Sequence, residues 1–152
     1  MTGNVVMRGE KIIEFDADIT GVTDYGVSME AILSDNKKIP PQGARFDVAF
    51  DGRSSGLLSG RVRGVDYIWA RADWRIDLDI RATVETESGH RIALSGDGVA
   101  ALRPGEPVAD LAENLRFTTA VEDYAWLNKR QIWGVGIVNL AARKIHIEAY
   151  LQ

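Results

Sequence analysis

At 152 residues, with 45% hydrophobic and 26% charged side chains, the chain has the size and composition of one soluble domain that buries its own core. A net charge of −4 without a basic stripe argues against a nucleic-acid partner. The lack of cysteine removes disulfides, thiolate nucleophiles and cysteine-based metal sites, and two histidines without metal-ligand spacing leave no dedicated metal site to expect. No run approaches membrane-spanning length, and Met1 to Arg8 lacks the apolar segment of a signal peptide. The expectation is therefore a single domain over residues 1–152, cytoplasmic, without cofactor and without a membrane partner.

In chain order, Lys11 to Ile19 alternates from Ile13 onward and ends at Thr20-Gly21. An apolar patch over Val27 to Leu33 stops at Ser34-Asp-Asn-Lys-Lys, a solvated turn. Pro40-Pro41-Gln-Gly43 punctuates before Ala44 to Phe50, where Phe46, Val48 and Phe50 share one face and Arg45 and Asp47 the other. Asp51-Gly52 and Ser54-Ser55-Gly56 read as a turn, and Leu57 to Val65 and Val65 to Ala72 as strands.

Trp74 to Thr86 is the clearest strand. Ile76, Leu78, Ile80, Ala82 and Val84 alternate with Arg75, Asp77, Asp79, Arg81, Thr83 and Glu85. Glu87-Ser88-Gly89 signals a hairpin before the return strand His90 to Leu94, and Asp97-Gly98 signals another turn. Val108, Leu111, Ala112 and Leu115 follow the i, i+3, i+4, i+7 spacing, which predicts one short helix over 108–115 behind Pro107. Leu115 to Val121, Asp123 to Lys129, Gln131 to Val138 and Arg143 to Leu151 complete the strand pattern. Roughly eight to ten short strands with turns between them predict an all-β fold, a single antiparallel barrel of lipocalin size. Closure of the barrel removes exposed strand edges.

The stripe Asp77/Asp79/Arg81/Glu85 is either a solvated outer wall with weak ion pairs or the lining of a polar cavity. Arg45 and Asp47 repeat the arrangement. Facing each other across a barrel, Arg45, Asp47, Asp79 and Arg81 would form one polar cluster. In it Asp79 or Asp47 would serve as acid/base, and the two arginines would hold developing negative charge. Asp66 and Tyr67 follow a glycine turn at an expected barrel rim, where a binding role competes with simple turn formation. Alternation over Tyr124, Trp126 and Asn128 would place all three on one face, cradling a flat ligand or merely filling the core. His90 reads as a surface residue, and His146, near Glu148 on the last strand, as a weaker base candidate. Gly134-x-Gly136 is not a dinucleotide fingerprint, and neither a nucleophile elbow nor a phosphate loop is present.

Several stretches together carry a family resemblance. They are Gly43-Ala-Arg-Phe-Asp47, Gly60-x-x-x-Gly64-Val-Asp-Tyr67, and Arg71-Ala-Asp-Trp with Leu78-Asp-Ile-Arg81. Phe117-Thr-Thr, Asp123-Tyr-Ala-Trp-Leu-Asn128 and Trp133-Gly-Val-Gly136 complete the set. The chain resembles the domain-of-unknown-function family numbered 3237, small bacterial and fungal β-barrel proteins. The family's pattern has Gly-Gly-Ala-Asp-Trp where this chain has Arg63-Gly-Val-Asp-Tyr67. It has Asp-Gly where this chain has Asp73-Trp74, which puts a bulky residue where a tight turn is expected. The resemblance implies a barrel with an interior cavity, in which the family's Asp-x-Arg at Asp79 and Arg81 would point inward, and it implies little about activity.

By elimination and by residue type, the expected function is a cofactor-independent enzyme of the isomerase, cyclase, lyase or hydratase kind. It would move protons on a small aromatic or apolar metabolite inside the barrel. A non-catalytic small-molecule-binding barrel is the alternative, and a homo-oligomer that buries an apolar outer face is a third reading.

Overall fold

In the computed structural model, which describes residues 9–34 and 38–152, the period-two runs become eight antiparallel strands closed into one barrel. These are β1 (Lys11–Asp24), β2 (Ala44–Gly56), β3 (Gly60–Ala70), β4 (Ile76–Thr86), β5 (Arg91–Leu102), β6 (Val108–Thr118), β7 (Ile132–Asn139) and β8 (Lys144–Leu151). Each strand pairs with its sequence neighbours, and β8 closes on β1 through pairs such as Phe15↔Ile147. Residues 1–8, and residues 35–37 of the turn expected after Ser34, lie outside the described residues. No helix among the described residues is long and apolar enough to cross a membrane.

The alternation settles which face is inside. Ile13, Phe15, Ala17 and Ile19 of β1 and Leu78, Ile80 and Val84 of β4 are buried, so the apolar faces fill the interior. At one end of the barrel Leu58, Val62, Val84, Ile92, Phe117, Leu127 and Ile132 form a tightly buried floor. A 3-10 helix, Glu122–Lys129, lies against that floor and contributes Leu127. At the other end a short helix α1 (Met29–Leu33) and Ile39 cover the mouth, with Ile32 packed among Ile19, Phe46 and Ala70. Ser28 starts α1 by accepting the Ala31 amide at 3.0 Å.

Several expectations are corrected. Val108 to Leu115 is not a helix but most of β6. Its apolar positions satisfy a helical spacing by coincidence, while the positions turned inward are Ala109, Leu111, Leu115 and Phe117, a period of two. Asp123 to Lys129 is the 3-10 helix rather than a strand. Asp51-Gly52 and Asp97-Gly98 lie inside β2 and β5 instead of making turns. A Cβ on Gly98 would sit 2.2 Å from the Ala112 carbonyl oxygen, so that glycine serves a close strand approach. The turn that Asp73-Trp74 makes is real: Trp74 adopts φ 69°, in the left-handed region, and its amide bonds the Arg71 carbonyl at 2.9 Å. Asp73 braces it by accepting the Arg75 amide and the Arg71 guanidinium.

Candidate functional site

Between floor and mouth lies a cavity of about 140 Å3. Its lining comes from every strand and from α1, and among the described residues it is apolar at each position except two, Asp66 on β3 and Glu113 on β6. Both occupy inward positions halfway along their strands, Asp66 between Gly64 and Ile68, Glu113 between Leu111 and Leu115. Both line this cavity, and burial is the largest influence on the ionisation of each.

Asp66 is held in place. Its Oδ1 accepts the backbone amide of Asp79 on β4 at 3.0 Å. The β3–β4 pairing runs without a break from Gly60↔Thr86 to Asp66↔Ile80 and resumes at Trp69↔Asp77. The carboxylate therefore takes a donor at the gap where the ladder opens. Burial pushes the Asp66 carboxyl up to about 7, against the Asp79 amide, which favours the charged form, while the Asp79 charge raises it further.

Glu113 has no hydrogen-bond partner among the described residues. Burial, and behind it the charge of Asp66, pushes its carboxyl up to about 8. Glycine flanks it on both sides, Gly98 on β5 and Gly134 on β7. A Cβ at Gly134 would stand 3.2 Å from Glu113 Oε1, so the bare backbone there leaves room for the carboxyl. Of the two, Asp66 therefore ionises first and Glu113 keeps its proton to higher pH, an order that suits opposite roles in proton transfer.

The other candidates lie elsewhere. Asp79 and Arg81 point outward, 54% and 73% exposed, with 3.7 Å between them. The inward turn implied for them by the resemblance is corrected: apolar Leu78 and Ile80 take the inside, and alternation sends their neighbours to solvent. Asp47 and Arg45 are likewise on the outer wall, where Asp47 accepts the Tyr25 hydroxyl at 2.6 Å and Arg45 Nε at 3.1 Å. Those bonds hold the Asp47 carboxyl below its ordinary value, the Tyr25 hydroxyl contributing most. Tyr67 is outside too, with the Arg45 guanidinium 5.5 Å from its ring centre. The four charged residues do not face one another across the barrel.

Tyr124, Trp126 and Asn128 do not share a face, because the 3-10 helix has a threefold period. Tyr124 meets His90 edge-on, ring centres 6.2 Å apart. Trp126 is 43% exposed. Asn128 is structural: its amide accepts the Thr119 N–H at 2.9 Å and donates to the Thr119 carbonyl at 2.8 Å. His146 pairs through Nδ1 with Asp16 on β1 at 2.8 Å rather than with Glu148. Glu14, Asp16 and His146 come close enough on the outer wall to share an ion, although Lys11 already bonds Glu14. Of the residues singled out from sequence, only Asp66 lines the cavity. Glu113 was hidden by the helical reading of its segment; the signal for it is one acid on an otherwise apolar period-two face.

Among curated proteins, none matches the sequence. Among solved structures, the chain is similar to a β-barrel-like protein from Acinetobacter baumannii AYE, at 20% identity and a TM-score of 0.74, covering 99% of each chain. It is similar to a conserved protein of unknown function from Rhodopseudomonas palustris, also at 20% identity and a TM-score of 0.74, over 98% of this chain and 99% of that one. A protein of unknown function from Clostridium acetobutylicum ATCC 824 aligns at 15% identity and a TM-score of 0.75, over 95% of this chain and 99% of that one. At such identities the likeness is one of fold. A family model, described as a protein of unknown function, DUF3237, matches residues 41–151, a span that holds β2 to β8 and both cavity carboxyls. That match spans most of the sequence, and the chain belongs to DUF3237.

Proposed function

We propose that this barrel is a cofactor-independent acid–base catalyst of the isomerase or lyase kind, acting on a small, largely apolar molecule held in the cavity. The observation that carries the reading is the pair Asp66 and Glu113, among the described residues the only ionisable groups on an otherwise apolar lining. Taking an ionised carboxylate out of water costs several kcal/mol, a cost that an apolar side chain at either position would not carry. Two acids kept there at that cost point to chemistry rather than to packing. Asp66, fixed by the Asp79 amide and titrating lower, is the base; Glu113, unpartnered and titrating higher, is the acid.

A non-catalytic binding barrel is the second reading, favoured by the aliphatic lining, which would hold an apolar ligand without either acid. The two part company in one experiment. Wild type, Asp66→Asn and Glu113→Gln are incubated with a panel of small uncharged aromatics, lactones and ketones, and both thermal shift and product formation are recorded. The catalyst reading expects turnover by wild type along a bell-shaped pH profile, rising as Asp66 ionises near 7 and falling as Glu113 ionises near 8. Each variant should keep binding and lose roughly 10²–10⁴-fold in rate. Binding by all three proteins with turnover by none supports the carrier.

A further inference from the structure

The polar group of the substrate follows from what the cavity offers it. We propose that the substrate is an uncharged carbonyl compound with an acidic α-hydrogen, Asp66 removing that hydrogen while Glu113 hydrogen-bonds the carbonyl oxygen. This rests on the acid–base reading of the same pair.

No lysine, arginine, histidine, amide or hydroxyl side chain lines the cavity among the described residues. An anionic substrate would find no cation there and would face the charge of Asp66. The one donor on offer is a carboxyl proton, and that of Glu113 has no partner within the protein to compete for it. A carbonyl oxygen is the acceptor that fits. An ammonium ion would find a single free acceptor, Asp66 Oδ2, because Oδ1 already takes the Asp79 amide and Glu113 would have to give up its proton to become another. Asp66 Oδ2 carries no hydrogen bond among the described residues and is free to take a proton. The size fits as well: about 140 Å3 is close to the roughly 150 Å3 of an apolar cavity that holds benzene, so a six-membered ring is accommodated.

The step balances without a co-reactant. Asp66 takes the α-hydrogen as a proton, the C–H pair becomes a carbon–carbon double bond, and the carbonyl π pair moves to oxygen, where the Glu113 proton stabilises it. Return of the proton from Asp66 to a more distant carbon gives an isomer, with no change in atoms or oxidation state.

The test uses one ring with three head groups: a β,γ-unsaturated cyclohexenone, cyclohexylamine and cyclohexanecarboxylate. Isomerisation of the ketone to its conjugated form is followed by absorbance, and α-hydrogen exchange by NMR in D2O. Binding of all three, and of benzene, is followed by ligand-observed NMR. Wild type and Arg81→Ala should bind and isomerise the ketone, and Asp66→Asn should bind it with at least about a hundredfold less exchange. Glu113→Gln should slow exchange while leaving benzene binding unchanged. Preferential binding of the amine or of the carboxylate overturns the carbonyl assignment, as does ketone binding without exchange. In those cases turnover of other panel compounds that depends on Asp66 and Glu113 would leave the acid–base reading standing. Failure of benzene and all three ring compounds to bind overturns both.

Discussion

Asp66 and Glu113 have carboxyl values raised by burial, and such groups act on stability with a definite sign. The native state holds their protons at a pH where the unfolded chain has released them. Their contribution is therefore present in full below about pH 4 and is lost as pH rises through about 7 and 8. Asp66→Asn and Glu113→Gln should remove that loss, so each variant should exceed wild type by a few kcal/mol at pH 9 and converge on it near pH 4. Urea unfolding at the two pH values checks this. Arg81→Ala, on the outer wall with a loose partner, should change stability by no more than about 0.5 kcal/mol at any pH. Half of the pair was legible in sequence, and for the wrong reason. The glycine turn before it makes Asp66 read as a rim residue, whereas its position in Val62, Gly64, Asp66, Ile68, Ala70 marks it as the acid on an apolar face. The charged stripes read from sequence as either a solvated wall or a cavity lining, and charge in alternation with bulky apolar residues is what a solvated wall looks like.

Among the elements, strands were legible wherever alternation was unbroken, as in β1, β4 and β8. The failures have a common physical source. Val108 to Leu115 satisfies two periods at once, and only the neighbouring strands β5 and β7, supplying hydrogen bonds on both sides, decide for the extended chain. The 3-10 helix depends on one side chain that no periodicity reports, Asn128 bridging both polar groups of the Thr119 backbone. Asn128→Ala should leave that buried amide and carbonyl unsatisfied and cost about 1–3 kcal/mol, measured by thermal or denaturant unfolding. At the β3–β4 turn, Trp74 holds a left-handed conformation that glycine adopts without strain. Trp74→Gly should raise stability by about 0.5–1 kcal/mol, the relief of backbone strain outweighing the freer unfolded chain. A lower melting temperature would show instead that the indole packs productively against its surroundings.

For the whole molecule, closure fixes what a lone strand leaves open. Eight amphipathic strands bent into a ring have one interior, and the larger apolar side chains claim it. The barrel then places two residues distant in sequence, on β3 and β6, in one cavity of apolar lining. Cavity and carboxyl pair are thus products of the fold rather than of any local motif. The central claim is that these two carboxyls ionise near neutrality, and carbon-13 NMR of the carboxyl groups across pH 3 to 10 tests it directly. Two carboxyl resonances should titrate with midpoints about 7 and 8, and each should be missing from the corresponding Asp66→Asn or Glu113→Gln spectrum. Ionisation of every carboxyl below about pH 5.5, in the ordinary range for solvated acids, would contradict it.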